Sequence, residues 1–457
     1  MLFSSIPFLF YFLPLALLLY AVTPRRFKNF TLLICSLVFY AWGEPRLVLL
    51  MMLTVLCGYI LGLLTEKYQR HKKIFLALAV LMSLGFLCYY KYADFFIENI
   101  NAITHLSIPL LCVTLPIGIS FYTFQLLSYN IDVYRGQVRA QRNFIDLAAY
   151  ISLFPQLIAG PIVRYSDVAQ QLQTRTHSLE KTALGIRRFI LGLSKKVLLA
   201  NTLGELCEIF KGSNDKSVLF FWLYAVAFCL HIYFDFSGYS DMAIGIGKIL
   251  GFDFIENFNY PYISKSITEF WRRWHISLGS WFRDYVYIPL GGSRVGKGRL
   301  IFNILAVWML TGFWHGADWT FILWGMFFAV LLIIEKTVLL KHLNQSKIFS
   351  RIYVLLLVMV SFVIFNASSL PEAFHYIGSM FGGGQYPLLS TETVYYLLNY
   401  GFVLLIAIIG ATPIPKRFAA RIKISRWLEP IVLVVLFALV TAYLVDGSFN
   451  PFLYFRF

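Results

Sequence analysis

The chain has 457 residues, of which 59% are hydrophobic, 18% aromatic and only 14% charged. Soluble domains carry about 25% charged residues, so a soluble enzyme, a disordered scaffold and a secreted disulfide framework are all poor readings of this composition. The net charge of +16 would suggest nucleic acid in a soluble protein, but here the basic residues fall in short loops between apolar runs. There they set membrane topology and meet anionic headgroups, and no nucleic-acid partner is expected.

A hydrocarbon core of about 30 Å takes about 20 helical residues. The first apolar run, Phe3–Val22, has no basic residue before it and Arg25, Arg26 and Lys28 after it. A cleaved signal peptide shows the reverse order, so the run predicts an uncleaved span with its N-terminus outside. Further spans are predicted over Phe30–Trp42, Leu47–Leu64, Ile74–Tyr90, Pro109–Ile131, Ile186–Leu203, Val218–Phe236, Leu300–Trp314, Trp319–Ile334, Ile352–Phe365, Val394–Ile409 and Leu428–Val445. Phe144–Ile162, broken by Pro155, Gly160 and Pro161, reads as re-entrant, because broken backbone at membrane depth needs cover from protein or a water-filled cavity.

Alternating these spans places the basic clusters inside: Arg25/Arg26/Lys28, Lys67/Arg70/Lys72/Lys73, Arg135/Arg139/Arg142, Lys336/Lys341/Lys347 and Lys416/Arg417/Arg421/Lys423/Arg426. The predicted outside stretches Ala93–Ser107 and Ala367–Thr393 hold no Lys or Arg, and both termini fall outside. No internal repeat and no soluble domain stands out, so residues 1–457 read as a single integral-membrane domain. The six cysteines are scattered without ligand or CxxC spacing, five of them inside predicted spans or apolar runs, and read as small buried hydrophobes.

Residues 252–299 depart from this pattern, being dense in aromatic, charged and Gly residues. Ser266 or Thr268 with Glu269 predicts a helix start, since a short hydroxyl accepts from free backbone N–H groups. Beyond it Phe270, Trp274, Ser277/Leu278 and Trp281 fall on one helical stripe, with Arg272, Arg273 and Arg283 off it. That spacing predicts an amphipathic helix at the cytoplasmic interface.

His315 closes LTGFWHGADW, at the predicted outer end of the span from Leu300. On a helix Trp308, Thr311, Gly312 and His315 share a face, and Gly312 permits close approach. A titratable ring at membrane depth is costly unless it faces a cavity or a partner, and an imidazole can act as a base near neutral pH. A histidine packed under the aromatic belt and bonded to a carbonyl fits equally well, and the residues alone leave both readings open. His275, in WRRWHISL, reads more simply as an interfacial histidine. The cations Arg272, Arg273, Arg283, Arg294, Lys297 and Arg299 make a solvated topology-setting face or, alternatively, a landing site for phosphates or an acidic carrier surface. PLGGSRVGKGR fits neither the P-loop spacing nor its setting. His231 and Asp235, four apart on one helix face, read first as a structural polar pair, and with no third ligand at usable spacing no metal is expected.

The sequence resembles the membrane-bound O-acyltransferase superfamily, and more closely its bacterial alginate O-acetyltransferase branch. The likeness runs over nearly the whole chain. It is sharpest in FPQLIAGPIVRY (Phe154–Tyr165), YFDFSGYSDMAIG (Tyr233–Gly245), NFNYPY (Asn257–Tyr262), FWRRWHISLGSWFRDYVYIPLGGSR (Phe270–Arg294), LTGFWHGADWTFILWG (Leu310–Gly325) and the terminal NPFLYFRF. One departure is VIFNASSLPEAF, where this branch usually has an arginine and Asn366 stands.

The resemblance implies an all-α ring of about 11–12 transmembrane helices, with re-entrant and interfacial helices around a tunnel. It matches the family's essential histidine to His315 and its second polar position to His275. Trp314, Thr311, Trp308, Asp235 and His231 are then expected to line the tunnel. Arg272, Arg273, Arg283, Trp281 and Arg294 are expected to dock the donor. The implied activity is transfer of acetyl from a cytoplasmic thioester, acetyl-CoA or a carrier-protein thioester, across a bacterial cytoplasmic membrane for O-acetylation of an extracytoplasmic polysaccharide or wall polymer. No permanently bound cofactor is expected; lipid, the acyl donor and an SGNH-type acetyltransferase are the expected partners. D-alanyl transfer to teichoic acid, a lipid or acyl transporter using the histidines as a proton relay, and a structural scaffold are the rivals.

Overall fold

The computed structural model describes every residue except 159, 344, 422–427, 448 and 452–457. Lys423 and Arg426 of the last basic loop, and the terminal motif beyond Pro451, therefore lie outside the described residues. The described elements are all helical, mostly α with short 3₁₀ and π turns. Seven helices among the described residues are at least 18 residues long and apolar enough to cross a membrane, which makes this an all-α polytopic membrane protein. The chain divides into two compact units.

The first unit comprises Met1–Phe189 and Ser240–Ile255. Its helix Leu47–Lys67 packs against Ile119–Arg135 through Gly58 and Gly62. A Cβ at either glycine would come within 2.5 Å of Leu126 or 2.9 Å of Tyr129, the close approach that small residues give membrane helices. The predicted re-entrant segment is a helix Phe144–Ser152, capped by Asn143 Oδ1 on the Ile145 N–H, and a four-residue turn Phe154–Leu157. The break at Leu153 precedes Pro155 by two residues, and Leu147–Ile158 are buried throughout.

The second unit comprises Ile190–Tyr239 and Glu256–Phe457. Its core is aromatic, with Phe210, Tyr224, Phe270, Trp274, Trp324 and Phe362 all buried. Ser and Asp residues start its helices: Ser266, Asp318, Ser346, Ser369 and Ser390 each accept from a backbone N–H of the first turn.

Several sequence-based boundaries need correction. Ala93–Ser107 was expected as an outside loop; instead Ala93–Thr104 continues the helix begun at Lys72, ended by His105 in the left-handed conformation. An absence of Lys and Arg marks a side of the membrane, not a loop. The span expected over Pro109–Ile131 begins as helix only at Ile119, because Pro109, Pro116 and Gly118 at φ 74° hold the approach irregular. The helix expected to end at Phe236 runs over Val218–Ile249. The single interfacial helix expected across Phe270–Trp281 is two seven-residue helices, Ile267–Arg273 and Ile276–Phe282, separated at Trp274 and His275.

Candidate active site

His275 and His315 both lie in the second unit, one on either side of the Trp314 indole. His315 is the last residue of the helix Lys297–His315. That helix crosses Trp319–Ile334 at Gly312 and Gly325: a Cβ on Gly312 would lie 2.3 Å from the Phe321 carbonyl oxygen, and one on Gly325 2.3 Å from that of Trp308. The extended Gly316 ends the first helix, and Asp318 starts the second by accepting from the Thr320 N–H at 2.7 Å. Backbone contact this close leaves no slack in where His315 sits. Its ring, 7% exposed, is packed edge-on by Trp314 at 5.0 Å, Trp324 at 5.0 Å and Phe365 at 5.3 Å.

His275, 1% exposed, lies at the bend between the two short helices with φ 44° and ψ 53°. A non-glycine residue there is strained by roughly 1 kcal/mol, although histidine tolerates it better than most. The bend is pinned from outside: the Asn259 N–H donates to Arg273 O at 2.9 Å and the Ile276 N–H to Asn257 O at 3.0 Å. Asn257 Oδ1 accepts from the Ser277 N–H at 3.2 Å and from Ser277 Oγ at 2.9 Å, and lies 3.2 Å from His275 Nδ1. A backbone N–H can only donate, so this amide atom is the acceptor and the proton of the neutral ring resides on Nδ1. Nε2 is then the ring's acceptor. Burial pushes the His275 pKa down to about 3, so the imidazole is neutral at physiological pH.

Phe236 packs edge-on to His275 at 4.7 Å, and Trp314 bridges the two histidines, 6.2 Å from the His275 ring and 5.0 Å from that of His315. Buried Glu335 accepts from the N–H groups of Ile267 at 2.5 Å and Thr268 at 3.0 Å, fixing the start of the helix that leads into the His275 bend.

His231 and Asp235 occupy one face of the long helix, and each has a partner of its own. His231 Nδ1 meets the Ala200 carbonyl at 2.7 Å, and Asp235 forms a 2.5 Å ion pair with Lys196, both side chains 1% exposed. Lys196 also donates to Pro451 O. Trp308 joins the cluster through Trp324 at 6.4 Å, and Thr311 is buried one turn before His315.

The expected donor-docking residues are dispersed. Arg273 is paired with Glu269 at 2.8 Å, and Arg283 with its neighbour Asp284 at 2.6 Å, whose hydrogen bonds raise the guanidinium pKa. Trp281 is buried against Phe282 and Tyr285. Arg272 and Arg294 are exposed.

Sequence reading assigned no role to Asn257, Phe236, Trp324, Phe365, Lys196 or Glu335. Asn257 stood inside a quoted motif, and a lysine and a glutamate within or beside apolar runs were the available signal for Lys196 and Glu335. Asn366, at the position where an arginine was expected, donates to Tyr224 Oη at 2.7 Å, next to the Phe365 wall of His315. Among the described residues no three His, Cys, Asp or Glu side chains converge as metal ligands.

A model of the MBOAT, membrane-bound O-acyltransferase family, matches residues 134–379. A protein described as a probable alginate O-acetylase AlgI from Azotobacter vinelandii is 40% identical over 506 aligned positions, covering 100% of both chains. Its namesake from Pseudomonas syringae pv. tomato is 45% identical over 85% of this chain and 76% of its own. A peptidoglycan O-acetyltransferase of Helicobacter pylori is 33% identical over 84% of this chain and 80% of its own.

Proposed function

This chain belongs to the membrane-bound O-acyltransferase family and is a multi-pass membrane O-acetyltransferase, and from that premise we propose that it passes acetyl from a cytoplasmic thioester to a hydroxyl destined for an extracytoplasmic polymer, with His315 as general base. The relatives' names, an alginate O-acetylase and a peptidoglycan O-acetyltransferase, support a polysaccharide or wall polymer as the final acceptor.

The observation that carries the reading is the His315 ring held among Trp314, Trp324 and Phe365 by a backbone-tight helix crossing. A thioester is already activated, so the reaction chiefly needs positioning, a proton acceptor and exclusion of water. The hydroxyl gives its proton to the His315 imidazole as its oxygen attacks the thioester carbonyl. The C–O bond forms, the C–S bond breaks, and the departing thiolate takes the proton back. His275 is neutral, with Nδ1 committed to Asn257, and is suited to orienting a donor N–H through Nε2. Exposed Arg272 and Arg294 are the cations through which the donor's phosphates or a carrier's acidic face would be met; acetyl-CoA is the donor assigned here, and an SGNH-type acetyltransferase the partner.

The test is pure protein in vesicles given acetyl-labelled acetyl-CoA, acceptor polymer and partner. His315→Ala is expected to lower label transfer by about 10²–10⁴-fold with its thermal unfolding unchanged. Undiminished transfer overturns the assignment, and uptake of the intact thioester without cleavage would establish a transporter instead.

A further inference from the structure

The helix Trp319–Ile334, which brings Trp324 against His315, continues through a π turn, Glu335–Leu339, into Leu340–Leu343. In its first turns Gly325 backs onto Gly312, and the Trp324 ring lies 5.0 Å from that of His315. One turn further on, Phe328 lies 4.9 Å from Trp271 and 5.4 Å from Trp308, two indoles that are themselves 4.6 Å apart. Trp271 belongs to the short helix before His275, and Trp308 to the helix that ends at His315. One ring therefore spaces the two histidine-bearing elements.

The far end of the same helix grips the His275 bend with two consecutive residues. Glu335, fully buried, accepts from the Ile267 N–H at 2.5 Å through one carboxylate oxygen. Through the other it accepts from the Thr268 N–H at 3.0 Å and from Thr268 Oγ1 at 2.9 Å. Ser266 Oγ already takes the next N–H, that of Glu269, at 3.0 Å, which caps the seven-residue helix from within its own sequence. Burying a carboxylate is costly, and a helix with its own cap does not call for one. What the carboxylate adds is an attachment to another helix. Lys336, the next residue, donates to Tyr287 Oη at 3.4 Å, with its ammonium 5.6 Å from that ring centroid. Tyr287 ends the π turn Arg283–Tyr287 that follows the second short helix, Ile276–Phe282. The two helices that meet at His275 are thus held at both outer ends by neighbours on one helix, in a π turn of the kind frequent at functional sites.

We infer that Glu335 is a positioning residue for acyl transfer: through the helix Ile267–Arg273 it sets where His275 stands relative to His315. Phe328 fixes the spacing of the two elements, and Glu335 with Lys336 fixes their orientation about it. This role rests on the acyl-transfer reading, in which His275 orients the donor. A glutamine at 335 keeps the volume but turns an NH₂ group towards one of the two backbone N–H groups whichever way its amide faces, so the grip is lost and the packing kept.

A double-mutant cycle in the acetyl-transfer assay, run on the full chain in vesicles with acetyl-CoA varied, tests it. Glu335→Gln is expected to raise KM for acetyl-CoA about tenfold while lowering kcat by less than about threefold, and Thr268→Val, which removes only the hydroxyl's bond, to raise KM about threefold. Ser266→Ala weakens the same helix without touching the grip, and is expected to leave KM unchanged. In the His275→Asn background Glu335→Gln is expected to add nothing, because it acts through His275. A KM unmoved by His275→Asn alone overturns the donor-orienting role of His275 and that of Glu335 with it. A KM that responds to His275→Asn but not to Glu335→Gln, that adds in the double variant, or that responds as strongly to Ser266→Ala, overturns the role of Glu335 alone. If Glu335→Gln does not fold, Thr268→Val takes its place in the cycle and the same outcomes decide.

Discussion

The two histidines of the candidate site rest on opposite kinds of support. His275 sits at a strained bend between two seven-residue helices, held by a polar latch of Asn257 and Ser277. His315 ends a nineteen-residue helix, held by rings and by glycine contacts behind it. A polar latch fixes a tautomer, which suits a group that orients without changing charge. An aromatic cage fixes position and excludes water, which suits the base proposed for the transfer. The two supports thus differ in kind, hydrogen bonds at His275 and packed rings over a glycine crossing at His315.

The largest effect is expected where the cage is held by backbone. Gly312→Ala puts a methyl 2.3 Å from the Phe321 carbonyl oxygen with Gly325 directly behind it, so no side-chain rotation relieves the clash. It should cost about 3 kcal/mol in thermal or denaturant unfolding and depress acetyl transfer with it. Gly279→Ala, in the helix after His275, meets only the Trp271 carbonyl at 3.7 Å and should be neutral or stabilise by up to about 1 kcal/mol. Equal sensitivity of the two glycines would remove the contrast between the supports. The latch comes next: Asn257→Ala removes the acceptor shared by the buried Ser277 N–H, Ser277 Oγ and His275 Nδ1, and should cost about 2 kcal/mol. In steady-state assays it should raise KM for the donor more than it lowers kcat, as expected of a positioning residue. A fall confined to kcat would assign His275 a direct part in proton transfer.

How much of this was readable beforehand follows from the physics of each signal. Apolar length and positive-inside charge located the long helices and His315, because hydrocarbon thickness and charge asymmetry act on local sequence. They failed at Ala93–Thr104, where a polar but uninterrupted helix continues past the apolar run, and at Pro109, where composition is apolar but proline and a left-handed glycine forbid helix. The break at His275 was hidden because Phe270, Trp274 and Trp281 keep helical spacing across it; what breaks the helix is a long-range grip by Asn257 and Asn259. The Lys196–Asp235 pair was hidden for a similar reason. His231 stands four residues from Asp235 on the same helix face, whereas the charge that matches Asp235 is Lys196, on the separate helical segment Lys195–Asn201. Local periodicity names faces, not partners.

A pH profile isolates His275 from the rest of the fold. Burial keeps folded His275 unprotonated down to about pH 3, whereas the unfolded chain takes up that proton near pH 6.5. Between those values the unfolded state binds more protons, so stability rises with pH across the window and is lost as pH falls below about 6.5. This group alone contributes a slope of about 1.4 kcal/mol per pH unit. His275→Asn removes the titration while keeping a residue that accepts the left-handed backbone. Its unfolding midpoint between pH 6 and 4.5 should therefore fall less steeply than that of the wild-type protein, by the slope of one proton, whatever its absolute stability. An unchanged slope would mean that His275 takes up its proton in the folded state. The latch would then hold a ring that changes charge, and the assignment of His275 as a positioning group would fail.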